Sequence, residues 1–343
     1  MRPPDKNRIF HGVRHIESDE IPFLESDPDI LLVNQILGKD FPLRLHAFEL
    51  PVPDYVELSR RMGNDMIYVA DIWRLGRNEL TDEQGRIHYV DGTMKTPQSL
   101  NDIGYPDLDL TRKRLEELLA AVEGTGFGIS CNNRTAPTVV RSAIGYEDYW
   151  IALIDNPRFV LDFQRIIDEQ CLRELEMLLE YDIDMIHLAS GVGSKSGSMC
   201  SPDMLEEFEY PFLRQQINRV KEAGKIVHFH IDGNVTDLIP DLINMGVDVL
   251  HPLEPCGGAQ DIYETKQQYG SRITLHGNID VAGILLKGNP EQVQLDVHQH
   301  IDALARGGGY IVGSSHDLHA DVPIENFYAM RDAAHSYRRK GRP

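Results

Sequence analysis

One stretch of the chain, IVHFHIDGNVTDLIPDLINMGVDVLHPLEP at residues 226–255, contains a complete strand–helix–strand unit. Its first six residues alternate between apolar side chains and histidines, which is the period of a β-strand, and Asp232-Gly233-Asn234 supplies a turn. Apolar positions at three- to four-residue spacing predict a helix from Val235 to Met245. A second strand over residues 247–253 follows. Because strands joined in this way run parallel, the chain is predicted to contain a parallel sheet.

Similar strands recur along the whole chain, with helical segments between most of them. Eight strands alternating with helices are typical of a (β/α)8 TIM barrel, and 343 residues with 41% hydrophobic content can form one such domain. An open doubly wound sheet is the alternative, although no GxGxxG fingerprint is present. We therefore expect an α/β fold, a single-domain TIM barrel. The candidate strands begin near Ile21, Met66, Phe127, Met185, Ile226, Val247, Ile273 and Tyr310.

Three segments fall outside the alternating pattern. Residues 1–20 are polar and are predicted to form an N-terminal extension. Turn residues within about 79–96 predict a β-hairpin insertion that covers the site. The glycine- and serine-rich loop at 190–200 lacks a phosphate-binding GxxxxGK[ST] pattern, so we interpret it as a lid or substrate loop.

Charge and cysteine content limit the partners and the compartment. The chain has 34 basic and 54 acidic residues, and the resulting formal charge of -20 would repel nucleic acid and anionic lipid. Its four cysteines form no CxxC pair, and neither a signal peptide nor a long apolar span is recognisable. These features predict a reduced, cytoplasmic protein with neither a nucleic-acid nor a membrane partner.

Histidines follow three of the predicted strands: His230 after the fifth, His276 after the seventh, and His316 with His319 after the eighth. Ligands of such barrels bind at the carboxyl ends of the strands, so these imidazoles are expected to converge. Each histidine taken singly is more often a hydrogen-bonded residue without a chemical role. Together they indicate a metal site or an acid–base site.

The residues beside these histidines have several interpretations. Asp232 is a candidate metal ligand and a candidate general base, and the interpretation as an Asx cap of the following helix has equal weight. His228 lies deeper on the same side of its strand as His230, so a packed or supporting role is expected. His251 falls within the sixth strand, and a hydrogen-bonded interior role is expected there too. Cys256 is a weak candidate for a thiolate ligand.

The motifs HIDGN, PLEP, LHGNID, GGGYI, SSHDLHADVP and ENFYAM resemble those of the uroporphyrinogen decarboxylase superfamily. That superfamily includes the corrinoid methyltransferases that act on coenzyme M or cleave ethers. The resemblance implies a TIM barrel with its site at the mouth, and a homodimer. In true decarboxylases an arginine-rich segment near the N-terminus holds the substrate carboxylates. The matching segment here, HIESDEIPFLESDPD, is acidic, and it favours the methyltransferase branch.

The resemblance also implies a metal ion. The coenzyme M methyltransferases hold zinc with a His-x-Cys pair after the fifth strand and a cysteine after the eighth. This sequence has His230, Asp232 and His316 at those places, a set suited to zinc or another divalent metal. The ether-cleaving relatives share a Glu-x20-His spacing, and Glu209 stands at that distance before His230. We therefore predict His230, His316, Asp232 and Glu209 as metal ligands.

A function follows from this ligand set. Imidazole and carboxylate donate less charge than thiolates and leave the ion a stronger Lewis acid, which suits an oxygen-linked methyl group. We expect methyl transfer from a small O-methyl substrate to cobalamin on a corrinoid partner protein. The alternatives are a uroporphyrinogen decarboxylase-like carboxy-lyase and an inactive barrel that binds a small ligand. The predicted catalytic residues are His276, His319 and Asp232, and the predicted substrate-binding residues are Asp71, Asn132, Ser190 and Asn278.

Overall fold

The computed structural model describes residues 2–338 and has an α/β fold built on a parallel sheet. Seven strands form this sheet in the order β1-β4-β5-β8-β9-β10-β11, and every neighbouring pair is parallel. The predicted parallel α/β architecture is therefore confirmed. The strands are β1 Met66–Val69, β2 Arg77–Thr81, β3 Ile87–Gly92, β4 Gly128–Asn132, β5 Met185–Ser190, β6 Gly193–Ser194, β7 Gly197–Ser198, β8 Ile226–Ile231, β9 Val249–Pro252, β10 Thr274–His276 and β11 Tyr310–Ile311.

Helices separate the strands of this sheet and cover its outer face. Short 3-10 turns lie at Ala47–Glu49, Pro97–Asp102, Thr236–Leu238 and Cys256–Gly258. No described helix combines the length and the apolar character needed to cross a membrane. The α-helices are α1 Lys6–Val13, α2 Ile30–Leu37, α3 Val52–Met62, α4 Leu108–Val122, α5 Ala136–Ile144, α6 Tyr146–Asp155, α7 Pro157–Leu179, α8 Pro202–Phe208, α9 Tyr210–Glu222, α10 Ile239–Met245, α11 Ile262–Tyr269, α12 Ile284–Lys287, α13 Pro290–Leu304 and α14 Ile324–Ser336.

The extended segment around Phe23 lies between the two edges of the sheet. Phe23 forms a parallel bridge with Val312, just after β11, and its carbonyl accepts a hydrogen bond from the Asp65 N–H at 3.1 Å, just before β1. A full strand predicted from Ile21 does not form here. Pro22 has no N–H, and the Phe23 N–H donates to the Asp65 carboxylate at 3.2 Å instead of to a backbone carbonyl. The architecture is TIM-barrel-like.

The apolar faces of the outer helices explain the core. Helix α7 buries Phe159, Phe163, Ile167 and Leu175 at the spacing expected of an amphipathic helix. Burying a side chain of this size stabilises the fold by roughly 1.5–3 kcal/mol relative to exposing it. The helix is therefore explained by its own sequence, because this apolar pattern is local and strong.

Helix α1 closes the amino-terminal end of the sheet, within the segment predicted to be a polar extension. Its Ile9 is fully buried and packs in a cluster with Met66, Met185 and Ile311. Met66 and Met185 are the first residues of β1 and β5, and Ile311 lies in β11. Arg8 supports this end, since its Nη1 donates to the buried Asp65 Oδ1 at 2.7 Å. The buried Ile9 and the ion pairs of Arg8 with Asp65 and of Lys6 with Asp184 thus hold the helix in place.

The excursion after β1 is an antiparallel hairpin. Strands β2 and β3 pair from Arg77 with Gly92 to Thr81 with Ile87. Residues Arg77, Glu79 and Ile87 line a cavity of about 700 Å³, together with residues that follow β11. The hairpin therefore contributes one wall of the mouth, by which we mean the end of the sheet where the parallel strands terminate.

The helix predicted from Val235 begins later than expected. A 3-10 turn at Thr236–Leu238 comes first, and α10 starts at Ile239. Asn234 forms an Asx turn just before it, since its Oδ1 accepts the Thr236 N–H at 3.1 Å, and the N-cap position itself is Val235. Asp232 is therefore not the cap, and its carboxylate is available for another role.

Glu25 links the Phe23 segment to the loop after β11. Its Oε1 accepts the Ser314 N–H at 2.6 Å, and its Oε2 lies 2.7 Å from Ser314 Oγ. Ser314 Oγ is also 2.5 Å from the His316 carbonyl, which can only accept. The single hydroxyl proton therefore goes to that carbonyl, and a protonated Glu25 completes the network by donating to Ser314 Oγ. Burial raises the pKa of Glu25 to about 8, consistent with this neutral form.

We expect the stability of the protein to fall as pH rises through neutrality because of Glu25. The pKa of Glu25 is about 8 in the folded protein, and its ordinary value is 4.5. Protonated Glu25 therefore adds its full stabilisation below pH 4.5, and this stabilisation is lost as the pH rises towards 8. Integrated from about pH 5 to 8, the loss is on the order of 4 kcal/mol. Glu25→Gln keeps a donor and an acceptor but cannot ionise. Urea unfolding across this range should show a flatter profile for Glu25→Gln than for wild type, and exposed Glu83→Gln is the control. Parallel profiles for wild type and Glu25→Gln would contradict this assignment.

Candidate metal centre

Three side chains meet where β8 ends: His230 on the strand, Asp232 directly after it, and His316 from the loop after β11. His230 Nε2 lies 3.0 Å from Asp232 Oδ1, and His316 Nε2 lies 3.5 Å from the same oxygen. One donor atom from each residue lies within 4.8 Å of the other two. We call these three residues the mouth group. The structure thus brings together three of the four predicted metal ligands.

Within the mouth group, His230 and Asp232 favour each other's charged forms. Burial opposes protonation of His230, but the Asp232 carboxylate beside it raises the pKa of the imidazole overall. In the same way burial works against ionisation of Asp232, yet His230 lowers the pKa of its carboxyl. The side chains of Asp232 and His316 are 44% and 42% exposed, so the group remains accessible from the mouth.

The donor atoms of the mouth group fit a divalent cation. Asp232 Oδ1 is shielded from solvent and accepts no hydrogen bond with normal geometry, although two imidazole nitrogens lie near it. Such convergence of donor atoms is what a metal ligand set requires. Two imidazoles and a carboxylate suit Zn²⁺ and also Fe²⁺ or Mn²⁺.

The ring orientations show which nitrogens are available. His230 Nδ1 lies 2.8 Å from His251 Nδ1, so His251 can accept its proton and leave Nε2 free for an ion. His316 Nδ1 accepts the Asp317 N–H at 2.8 Å. A neutral imidazole has one lone pair, so ligation through His316 Nε2 would require this contact to open. His316 is therefore the ligand that must move most.

A cavity of about 700 Å³ opens beside the mouth group. His316 and His319 line it from the loop after β11, as does Glu254 from the end of β9. His319 is 41% exposed, and its Nδ1 lies 3.9 Å from Asp321. It is thus the one predicted proton donor that faces a space large enough for a small substrate.

Four arginines, which the sequence reasoning did not select, also line this cavity: Arg44, Arg74, Arg77 and Arg86. Arg74 and Arg77 share one carboxylate, Glu79, at 2.8 and 3.3 Å, and Arg86 lies 3.7 Å from Asp29. The lining also includes five carboxylates, Asp27, Asp29, Glu79, Glu254 and Asp317, so the cavity carries both signs of charge. Three of the four arginines lie in or beside the predicted hairpin. Its prediction as a cover of the site was therefore the sequence signal that could have identified them.

The predicted catalytic residue His276 is not in the cavity. It is 2% exposed and lies beneath the mouth group, where its Nε2 faces the Leu24 carbonyl at 2.9 Å and its Nδ1 faces His228 Nε2 at 2.9 Å. Burial lowers the pKa of His276 to about 4. It cannot touch a substrate in this arrangement. We call His228, His251 and His276 the inner histidine group, and His187 stacks on His228 beside it.

Glu209 also lies away from the mouth group. Its Oε1 accepts from Arg141 Nη2 at 2.8 Å, and its Oε2 accepts from Ser190 Oγ at 3.2 Å. Both members of the ion pair are almost completely buried, with side chains 2% and 1% exposed. Burial lowers the pKa of Arg141, but the Glu209 carboxylate raises it overall, so the guanidinium stays charged. The structure thus gives Glu209 and Ser190 a supporting position behind the site.

The remaining predicted substrate residues are divided between two places. Asp71 and Asn132 line a separate cavity of about 190 Å³, where Arg134 Nη1 and Nη2 both lie 2.6 Å from Asp71 Oδ1. Asn278 is buried and donates to the Leu253 carbonyl at 2.7 Å. None of them lines the large cavity. Cys256 is likewise outside the mouth group, with its Sγ 4.0 Å from Glu254.

The fold and the mouth group define an α/β protein of TIM-barrel-like architecture with a histidine–carboxylate site at the carboxyl ends of its parallel strands. A sequence profile of the family described as Uroporphyrinogen decarboxylase (URO-D) matches residues 83–337. The match covers well over half of the chain, which therefore belongs to the URO-D family. The resemblance found in the sequence motifs is confirmed.

Individual relatives share only parts of the chain. It is 24% identical over 144 residues to uroporphyrinogen decarboxylase of Coxiella burnetii, covering 41% of this chain and 38% of that protein. It is 31% identical over 77 residues to uroporphyrinogen decarboxylase of Actinobacillus pleuropneumoniae, covering 22% of this chain and 21% of that protein. Each alignment therefore spans less than half of the relative's length.

A solved structure, a methyltransferase from Methanosarcina mazei, matches nearly the whole chain. The TM-score is 0.75, and the match covers 96% of this chain and 97% of that one at 18% sequence identity. At this level of identity the likeness shows a shared fold.

Proposed function

We propose that the protein is a metal-dependent methyltransferase that moves a methyl group from a small O-methyl compound to cobalamin carried by a corrinoid protein. The observation that carries the proposal is the mouth group, in which His230, Asp232 and His316 converge beside a cavity of about 700 Å³. Family membership and the fold shared with a methyltransferase support it. As part of the same proposal, the Phe23 segment completes an eight-stranded barrel of one domain, and the protein is a homodimer.

The proposal gives each part of the site a task. The mouth group would hold zinc or another divalent metal, and the ion would act as a Lewis acid on the oxygen that carries the methyl group. The cavity holds the rest of the substrate and limits access of water. His319 is placed to protonate the oxygen after the methyl group leaves, because it lines the cavity and is not buried.

The arginines of the cavity favour a second candidate, a URO-D-like carboxy-lyase. Guanidinium groups bind carboxylates in a bidentate manner, and Arg44, Arg74, Arg77 and Arg86 all line the cavity. In a methyltransferase the same arginines would bind a polar end of the methylated compound. The two functions differ in their demand for a metal, since this carboxy-lyase alternative rests on the arginines and not on the mouth group.

Methyl transfer can be tested with Co(I) cobalamin, the purified protein and a panel of methyl donors that includes aryl methyl ethers. We expect the absorption spectrum to convert to that of methylcobalamin, and to stop converting after removal of the metal with a chelator. Methylcobalamin with coenzyme M is the matched reverse assay. Turnover only with the thiol would show that the direction is wrong. No conversion with any donor, together with carbon dioxide release from a porphyrinogen, would favour the carboxy-lyase.

A further inference from the structure

In the inner histidine group, the Leu24 carbonyl determines which nitrogens donate and which accept hydrogen bonds. A carbonyl can only accept, so the proton of the neutral His276 ring is on Nε2, and its Nδ1 presents a lone pair. His228 Nε2, 2.9 Å away, must then donate to that lone pair. The other nitrogen of His228, Nδ1, is buried and has no hydrogen-bond partner within residues 2–338. The chain of imidazoles therefore ends in an unused lone pair.

This arrangement encloses a small space. A cavity of about 10 Å³ inside the sheet is lined by the rings of the inner histidine group and His187, together with Leu24, Ser26, Tyr68, Ser130 and Met185. That volume is about one water molecule as measured with a water-sized probe. Barrel interiors of this kind are usually filled by branched apolar side chains, and the layer below is indeed apolar, with Met66, Met185 and others. A layer of histidines above it is unusual for such an interior, and a bound ligand would account for it.

We propose that His228, His251 and His276 form a second metal site, which takes one Zn²⁺ or a similar imidazole-preferring cation beneath the mouth group. One nitrogen from each ring lies within 4.8 Å of the other two. Two nitrogens bound tetrahedrally to zinc stand about 3.3 Å apart, given Zn–N distances of about 2.0–2.1 Å. The 2.9 Å separation of His228 Nε2 and His276 Nδ1 needs to widen by only a few tenths of an ångström. His228 must also move its proton from Nε2 to Nδ1, so that Nε2 has a lone pair for the ion.

The surroundings support ligation by neutral rings. His228 and His251 are both buried, and in the described part of the chain neither has a carboxylate partner that would hold its ring in the charged form. The Leu24 carbonyl holds the far nitrogen of His276, as an outer partner of a metal-bound histidine usually does. Gly313 is required beside this contact, because a Cβ there would lie 2.5 Å from His276 Nε2.

The donor set also selects the ion. The group offers three imidazoles and no carboxylate, so it suits Zn²⁺, Cu²⁺ or Ni²⁺ and disfavours Mg²⁺ and Ca²⁺, which need oxygen ligands. Three histidines with one open position are a ligand set known for zinc.

The inner histidine group and the mouth group share one contact, between His230 Nδ1 and His251 Nδ1 at 2.8 Å. For His230 to bind an ion through Nε2, its Nδ1 must donate to His251. His251 then accepts this hydrogen bond at Nδ1 and carries its own proton on Nε2. To bind an ion, it must either give up the hydrogen bond at Nδ1 or lose the proton on Nε2. We therefore expect the second ion to bind about 10- to 100-fold more weakly than the first, the usual effect of disturbing an outer partner.

Metal counting in a variant that lacks the mouth group tests the proposal. Asp232→Ala/His316→Ala removes two ligands there and leaves His230, which contacts His251, in place. The full-length apo protein is titrated with ZnCl2 against a chromophoric chelator, and with CoCl2 followed by visible absorption. We expect the double variant to bind one equivalent and adding His276→Gln to abolish this binding. His300→Gln, at a buried histidine elsewhere, is the matched control and should retain it.

The inference does not depend on methyl transfer, because every measurement is of binding. Failure of the double variant to bind zinc, with a circular dichroism spectrum like that of wild type, would overturn it. X-ray absorption of the zinc-loaded double variant covers the case in which His276→Gln does not fold. Three imidazole nitrogens at about 2.0–2.1 Å are expected, and a shell of oxygen ligands would place the ion elsewhere.

Discussion

Replacing Asp232 with alanine is expected to lower the rate of methyl transfer at least about 100-fold and to remove one equivalent of bound metal. The carboxylate is the only anionic member of the mouth group, and both imidazoles face its Oδ1 at 3.0 and 3.5 Å. Loss of a mere outer partner of a metal ligand costs about 10- to 100-fold in affinity, so loss of a ligand should cost more. Activity with cobalamin and metal analysis of the same preparation provide the measurements.

Asp237→Ala is the matched control for this substitution. Asp237 is exposed in the 3-10 turn that follows, five residues along the same segment, so it carries a similar charge without facing the mouth group. It should keep both the metal and the activity. If Asp232→Ala kept its full metal content and rate, the assignment of the mouth group as the metal centre would be untenable.

Replacing Arg141 with alanine is expected to destabilise the protein by about 3–5 kcal/mol, the usual result of leaving one buried charge without its partner. The Glu209 carboxylate would keep only Ser190 Oγ, at 3.2 Å, as a hydrogen-bond donor. The guanidinium also lies 5.3 Å from the ring centroids of both Tyr149 and Trp150, and these contacts would be lost with it. Urea unfolding followed by fluorescence measures the difference.

A companion substitution, Glu209→Gln, separates this structural role from the predicted role as a metal ligand. It should destabilise the protein but leave the bound metal unchanged, because Glu209 lies with Arg141 and not in the mouth group. The exposed pair of Arg214 and Glu206 is the control, and its removal should leave the unfolding midpoint where it was. A loss of metal in Glu209→Gln would restore the interpretation drawn from sequence spacing.

The order of strands and helices was predictable because its signals are local. Residues 226–231 alternate in two-residue period, and they form β8 as the pattern indicates. Helix α7 follows its apolar spacing in the same way. The place of the mouth group was also predictable, since the carboxyl ends of parallel strands meet at one end of such a sheet. His230 near the end of β8 and His316 in the loop after β11 could be selected from these positions alone.

Other features depend on distances between residues far apart in the chain, and no local pattern encodes these. The spacing before His230 selected Glu209, but the fold places this carboxylate against Arg141. His276 was expected after its strand, but it is the last residue of β10, and its ring points into the interior towards His228 and the Leu24 carbonyl.

The sequence by itself determined the α/β class, the family and the residues at the ends of the strands, because periodicity and short motifs are properties of neighbouring residues. The tertiary structure alone decided which of those side chains meet. It collected His228, His251 and His276 into one buried group and placed four arginines around one cavity. The physical reason is that ligation and ion pairing act over a few ångströms in space, whereas the partners are separated by many residues in the chain.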